Sequence, residues 1–348
     1  KKYGDDRRTQ VSEDAATEFA LEDLIPHEAM VITISQRGYV KRVPLNTYRL
    51  QLRGGRGVTG MVTREEDTVR HLLVADTHDS LLFFTNKGKV YHLKCHELPG
   101  DSTRTAKGLP AINLISMEQQ EQVTAVVAVR SFTQGEFMVM ATRLGEVKKT
   151  ALEEFSSVRS NGLIAMDLEQ GDQLVSARLV SQDDQVVPVT FKGMAIKFAV
   201  KELRQASRQS GGVRGIRLGK GDYVVGFNVV REKETLCTVT ANGFGKCSYL
   251  EDYPLQSRGG TGVKTQIVNK KTGMLTGSVM VSASQELMMI SEAGVVIRMT
   301  CQEIPKLGRS TQGVILKRLE PGDVVSAVAV LEDRSRDKAP TTKAEQAE

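Results

Sequence analysis

An all-β array of six repeated units is the fold class this sequence of 348 residues predicts. Three landmarks that recur in register predict it. The first is an apolar run, a short turn containing glycine, and a second run ending in basic residues. The turn glycines are Gly38, Gly88, Gly145, Gly193, Gly243 and Gly294, spaced by 50, 57, 48, 50 and 51 residues. The second landmark follows about 20 residues later and pairs a glycine with Val or Leu, at Gly57, Gly108, Gly162, Gly212, Gly262 and Gly313. The third is an acidic turn before another Val-rich run, as in Glu169-Gln170-Gly171-Asp172, Gly219-Lys220-Gly221-Asp222 and Glu320-Pro321-Gly322-Asp323. A β-run, a glycine turn and a β-run make a hairpin. With the later runs, each unit holds about four strands, and six units close or spiral into a disc.

Taken in order, residues 1–28 stand apart: four Lys/Arg against eight Asp/Glu, with Arg7-Arg8-Thr9 ahead of an acidic stretch. They read as a linker with a short helix around Glu18–Leu24. The chain starts with Lys rather than Met, as expected of a piece of a longer protein. Six hairpins follow: VITISQRGYVKRV (31–43), LLFFTNKGKVYHL (81–93), FMVMATRLGEVKKT (137–150), VVPVTFKGMAIKF (186–198), TLCTVTANGFGKC (235–247) and LMMISEAGVVIRM (287–299). They divide 29–330 into units at about 29–79, 80–134, 135–184, 185–233, 234–285 and 286–330. Residues 331–348 are rich in Lys, Asp, Glu, Thr and Ala and read as a disordered tail.

Composition narrows the function. The apolar fraction is 40% with no Trp and only 5% aromatics, so the core rests on Val, Ile, Leu and Met. The period suits β-propellers, yet the Trp-Asp signature of their commonest repeat is absent. No apolar run nears the ~18 residues of a membrane span, and no signal peptide is visible. Four dispersed cysteines, Cys95, Cys237, Cys247 and Cys301, read as reduced thiols in a cytosolic protein. Formal charge is +5, but the two ends are acidic and 29–330 carries +10. A basic body of that kind points to an acidic partner, most often nucleic acid.

The sharpest motif is Gln51-Leu52-Arg53-Gly54-Gly55-Arg56-Gly57. Glycines let a backbone approach a ligand closely, and arginine presents a planar charged fork to phosphate. A reduced copy, Gln256-Ser257-Arg258-Gly259-Gly260-Thr261-Gly262, occupies the fifth unit and is expected to make a weaker contact. Further phosphate candidates sit at the basic ends of the hairpins: Lys41, Arg42, Lys89, Lys94, Lys148, Lys149, Lys197, Lys246 and Arg298. Others flank the second landmark: Arg104, Lys107, Arg159, Arg208, Arg214, Arg258, Lys264 and Arg309. Phosphate contacts position a nucleic acid without reading its sequence, so binding should be non-specific and salt-sensitive. Enzyme chemistry finds no support. His92, Cys95 and His96 point to different faces of a strand-like run and lack a fourth metal ligand. Asp183-Asp184 and Glu65-Glu66-Asp67 are turn acids, and Gly219–Asp222 is no Walker sequence.

These residues resemble the C-terminal DNA-wrapping domain of the A subunit of DNA gyrase, in the type IIA topoisomerase family. Gln51 to Gly57 is similar to that family's gyrase-A box, with Leu52 where a basic residue is usual. Lys2-Tyr3-Gly4-Asp5-Asp6-Arg7-Arg8-Thr9 resembles the segment that follows the cleavage core, and Gly-Glu-Val-Lys-Lys-Thr (145–150) and Gly-Val-Arg-Gly-Ile-Arg-Leu (212–218) continue the likeness across residues 1–330. The resemblance implies a six-bladed β-pinwheel, a relative of the propeller whose blades exchange strands. It implies that double-stranded DNA wraps positively around the rim, with the box as a clamp, so that an ATP-driven holoenzyme introduces negative supercoils. Implied partners are the cleavage core on the same chain and the gyrase B protein in an A2B2 assembly; the domain itself would be monomeric, cytoplasmic and free of cofactor, ATP and Mg serving the holoenzyme. The cleavage tyrosine of that enzyme follows an arginine, and no Arg-Tyr pair occurs here. Paralogous topoisomerase IV domains have fewer or eroded blades and lack the box, so six units and a near-complete box favour gyrase.

Overall fold

The computed structural model describes residues 24–35, 37–47, 58–59, 69–100, 108–132 and 136–331. The linker before Leu24, the Gln51–Gly57 heptapeptide, Arg104, Lys107 and the tail from 332 lie outside the described residues.

Unit one contributes β1 (Ala29–Ser35), β2 (Tyr39–Pro44), β3 (Val58–Thr59) and β4 (Val69–Asp76). Unit two contributes β5 (Ser80–Thr85), β6 (Lys89–Lys94), β7 (Leu109–Pro110) and β8 (Val123–Val129). Unit three has β9 (Glu136–Thr142), β10 (Glu146–Ala151), β11 (Leu163–Ile164) and β12 (Leu174–Ser181). Unit four has β13 (Gln185–Thr190), β14 (Met194–Ala195), β15 (Phe198–Ala199), β16 (Val213–Arg214) and β17 (Val224–Val229). Unit five has β18 (Thr235–Thr240), β19 (Phe244–Tyr249), β20 (Val263–Lys264) and β21 (Leu275–Val281). Unit six has β22 (Glu286–Ser291), β23 (Val295–Thr300), β24 (Val314–Ile315) and β25 (Val325–Leu331). Among the described residues the only helical segments are short 3-10 turns.

The strands form six small antiparallel sheets, the blades of a six-bladed β-propeller. In each blade the last strand of the unit is innermost and the hairpin lies in the middle. The outermost strand, only two residues long, comes from the next unit: β7 joins β2, β11 joins β6, β16 joins β10, β20 joins β14 and β24 joins β19. Blade six takes β3 from unit one, with Val295 opposite Thr59 and Val296 opposite Val58. The exchange therefore runs around the whole ring and closes it. Six apolar clusters fill the spaces between neighbouring blades, including Val31, Val43 and Leu72 of blade one against Met288, Ile290 and Val296 of blade six. Each blade buries both faces, so strands such as β5 read as continuous apolar runs.

The hairpin turns explain the first landmark. In all six, the glycine N–H donates to the carbonyl three residues back, from Gly38 to Ser35 (3.0 Å) through Gly294 to Ser291 (2.9 Å). The glycine φ lies between 72° and 90°, where a side chain is strained. The residue opening each turn is Ser or Thr, and Ser35, Thr142, Thr190 and Thr240 accept from the N–H just past the glycine. The acidic turn caps the same structure. Asp222 accepts from Lys192 N (2.9 Å) and Thr190 Oγ1 (2.7 Å), Asp172 from Leu144 N and Asp323 from Ala293 N. Unit five has Thr272 at this place, and Asn242 of its hairpin turn donates instead to the carbonyls of Lys270 and Lys271. One expected strand is broken: Pro188 has no N–H for its partner, and the second hairpin run of unit four splits into β14 and β15.

Candidate nucleic-acid interface

The outer strands and the loops that lead into them form the rim. Four residues before the glycine of the second landmark stand Arg208, Arg258 and Arg309. Each crosses to the outer strand supplied by the preceding unit. Arg208 Nη1 donates to Ile164 O (3.2 Å), Arg258 Nη1 to Arg214 O (3.1 Å) and Arg309 Nη1 to Lys264 O (3.0 Å). Backbone N–H groups of Arg208 and Arg258 donate to Glu154 and Glu202, which fixes the start of each loop. Three guanidinium groups are thereby held in one orientation along the rim, Arg258 exposed and the other two half-buried. Arg53 and Arg104 hold the same place in the repeat, four residues before Gly57 and Gly108.

The reduced copy of the heptapeptide shows what its glycines do. Gly259 (φ 81°) donates to Gly215 O (2.6 Å), and Gly260 O accepts from Arg217 N (2.8 Å). A Cβ on Gly262 would lie 2.2 Å from Ala195 O. The close approach that the sequence pattern suggested is made in this copy to the neighbouring outer strand.

Arg159, Arg214 and Lys264 are exposed on these segments. Arg217 and Arg318, which are not among the residues expected from the repeat pattern, are exposed too. Each is one residue beyond a buried position, Ile216 or Lys317, so strand-like alternation was the signal that could have found them.

The hairpin-end cations behave differently, and for the four that are buried the expectation of a phosphate contact is corrected. Lys41, Lys148, Lys149 and Lys246 are buried. Lys148 Nζ donates to the carbonyls of Ser207, Arg208 and Ser210 at 3.0, 2.6 and 2.8 Å. Lys246 Nζ holds the carbonyls of Gly308 and Arg309, Lys149 that of Val200, and Lys197 that of Leu250. Arg42 bonds the carbonyls of Leu98 and His96, while Lys89 pairs with Glu118 and Arg298 with Glu286. Lys94 Nζ, half-buried, reaches His78 O (3.5 Å). The physical reason for the buried lysines is strand exchange: in blades one, three, four and five the hairpin end lies beneath the incoming loop of the next unit, as the backbone bridges Arg42–Gly100, Lys149–Gln205, Lys197–Leu255 and Cys247–Lys306 show. Burial pushes Lys148, Lys246 and Lys317 down to about 8.

The profile of the DNA gyrase C-terminal domain, beta-propeller, matches six segments: 29–76, 79–130, 136–181, 186–231, 234–273 and 285–332. The chain belongs to the DNA gyrase C-terminal domain family. The DNA gyrase A subunit of Dehalogenimonas lykanthroporepellens is 46% identical over 336 residues, 95% of this chain and 41% of the relative. The DNA gyrase A subunit of Staphylococcus aureus is 41% identical over 340 residues, 97% of this chain and 38% of the relative. The chain thus spans about two fifths of the curated relatives it matches. A solved DNA gyrase A C-terminal domain superimposes with a TM-score of 0.81 at 26% identity, covering 88% of this chain and all of that one. The C-terminal domain of a DNA topoisomerase IV gives 0.67 at 25% identity, covering 88% and 94%. Within the family fold, the landmarks of this chain now have separate roles: the glycine turns and acidic turns build blades, and the rim loops carry outward charge. Among the described residues no helix is long and apolar enough to cross a membrane.

Proposed function

We propose that this chain binds duplex DNA without sequence preference and wraps it in a positive sense around the rim. A gyrase holoenzyme that includes the preceding cleavage core and the gyrase B protein would then introduce negative supercoils as it hydrolyses ATP with Mg. The domain itself performs no covalent chemistry in this reading, takes no cofactor, and works in the bacterial cytoplasm. The observation that carries the reading is the recurrence of anchored arginines, Arg208, Arg258 and Arg309, beside the exposed Arg214, Arg217, Lys264 and Arg318. Basic groups repeated from blade to blade along a curve suit a polyanion that bends around the disc. Bending a few tens of base pairs costs on the order of several kcal/mol, so contacts must be spread over blades to offset it. Arg53 and Arg56 of the heptapeptide are proposed to clamp one end of the wrap.

The test combines affinity with geometry. Log Kd should depend steeply on log salt, and Arg214→Ala with Lys264→Ala should lower the slope by about 0.9 for each phosphate that is no longer neutralised. Arg53→Ala with Arg56→Ala should retain binding but reduce the bend read by end-to-end energy transfer. A flat salt dependence, or an unchanged bend in that last variant, would sink the proposal.

A further inference from the structure

Six innermost strands surround an axial channel of about 1350 Å³. Its wall is uneven at blade three. Arg178 stands in the middle of β12, and Ser176, two residues earlier, shares its face. Arg178 Nη1 donates to Ala177 O (2.9 Å), and among the described residues no carboxylate forms an ion pair with its guanidinium. Other charged residues lining the channel, such as Glu136, Arg143 and Glu292, stand at strand ends. Ser176 is only 6% exposed, and its Oγ has no hydrogen-bond partner among the described residues.

The repeat supplies an internal comparison. Asn228 holds the corresponding place in blade four, where its amide donates to Val187 O (3.3 Å) and Ser278 Oγ (2.7 Å). Val127 and Val279 hold it in blades two and five. At this slot the other blades are apolar or satisfied, and blade three alone among the described residues presents a half-buried cation, two residues along the strand from a hydroxyl without a partner. Guanidinium does not deprotonate in proteins, and a half-buried charge with no opposite partner leaves part of its desolvation uncompensated. An anion in the channel would remove both deficits.

We propose that the axial channel binds a small oxyanion of the phosphate class against blade three, held by the free N–H groups of Arg178 and by Ser176 Oγ once that side chain turns into the channel. The site is separate from the rim, where a duplex would lie, and does not depend on wrapping. The test uses the 348-residue chain, titrated with inorganic phosphate at constant ionic strength with chloride as the balancing salt. The Arg178 side-chain Nε–H resonance, assigned by its absence from Arg178→Lys, should shift and saturate. Calorimetry should show one phosphate site weakened about tenfold or more by Arg178→Gln and weakened by Ser176→Ala, with DNA affinity and its salt slope unchanged. A resonance that stays fixed throughout the titration, or phosphate affinity unaltered in Arg178→Gln, would overturn the proposal. If Arg178→Gln does not fold, the wild-type resonance decides alone.

Discussion

Lys148 and Arg214 are both basic residues on β-runs, yet the fold gives them opposite tasks. The Lys148 ammonium caps three carbonyls of the loop arriving from unit four, and the Arg214 side chain faces solvent. Lys148→Met should cost about 2–3 kcal/mol in chemical denaturation, because the three carbonyls lose their shared donor. It should leave the salt slope of DNA binding in place. The pH dependence has a definite sign. Lys148, Lys246 and Lys317 sit near 8 in the folded chain against an ordinary 10.5, so above pH 8 the folded state has shed protons that the unfolded state keeps. Stability from these groups rises as pH increases from about 8 toward 10.5, and their full burial cost is present below 8. Cys301, which burial pushes up to about 12, opposes the rise above pH 9, so the comparison is between wild type and Lys148→Met. Urea midpoints from about pH 7 to about pH 9.5 should climb less steeply in the variant; identical slopes would refute the assignment. In the sequence, Lys148 and Arg214 are alike in charge and in lying on short β-runs. The count of basic residues was legible there, but the direction of each side chain was not.

At the level of the element, the blade is a hairpin closed by an acid from about 30 residues downstream. Asp222 meets Lys192 N, Tyr223 N and Thr190 Oγ1 within 2.9 Å. Asp222→Ala should destabilise the chain by about 2–3 kcal/mol, with Asp222→Asn intermediate, and should speed amide exchange at Lys192 and Met194. Unchanged exchange at those two amides would mean that the cap is not needed. The acidic turn was plain in the sequence as a recurring signature. Its partner was not, because the bond joins two turns that only the antiparallel pairing of β13 and β17 brings together. Unit five makes the same point: Thr272 reads as a missing acid, and Asn242 supplies the hydrogen bonds from the other turn. The split of β14 from β15 was readable in principle from Pro188, whose missing N–H weakens the ladder on the side it faces, while the β17 side pairs through it.

For the whole molecule, the decisive contact is β3 on β23. The heptapeptide ends at Gly57, one residue before the strand that completes blade six, so unit one both begins the ring and closes it. Val58→Pro with Thr59→Pro removes the backbone donors of β3. Amide exchange in Val295–Thr300 should then accelerate and the hydrodynamic radius should grow, while blades three and four keep their protection. Exchange in β23 equal to that of the unaltered chain would show that closure rests on the apolar cluster of Val31, Leu72, Met288 and Ile290 alone.

By itself the sequence determined the number of units, the place of each hairpin and the basic character of the body between two acidic ends. These follow from local rules: glycine at positive φ, strand alternation and net charge act over a few residues or over the whole composition. The tertiary structure decided which strand completes which blade, that the ring is closed, and which cations face outward. Those depend on exchange between units some 50 residues apart, and a two-residue outer strand has no pattern of its own to announce its partner. The Arg-Gly loop of the fifth unit shows the consequence, since its glycines pack against a neighbouring blade and its arginine is aimed by a carbonyl of Arg214.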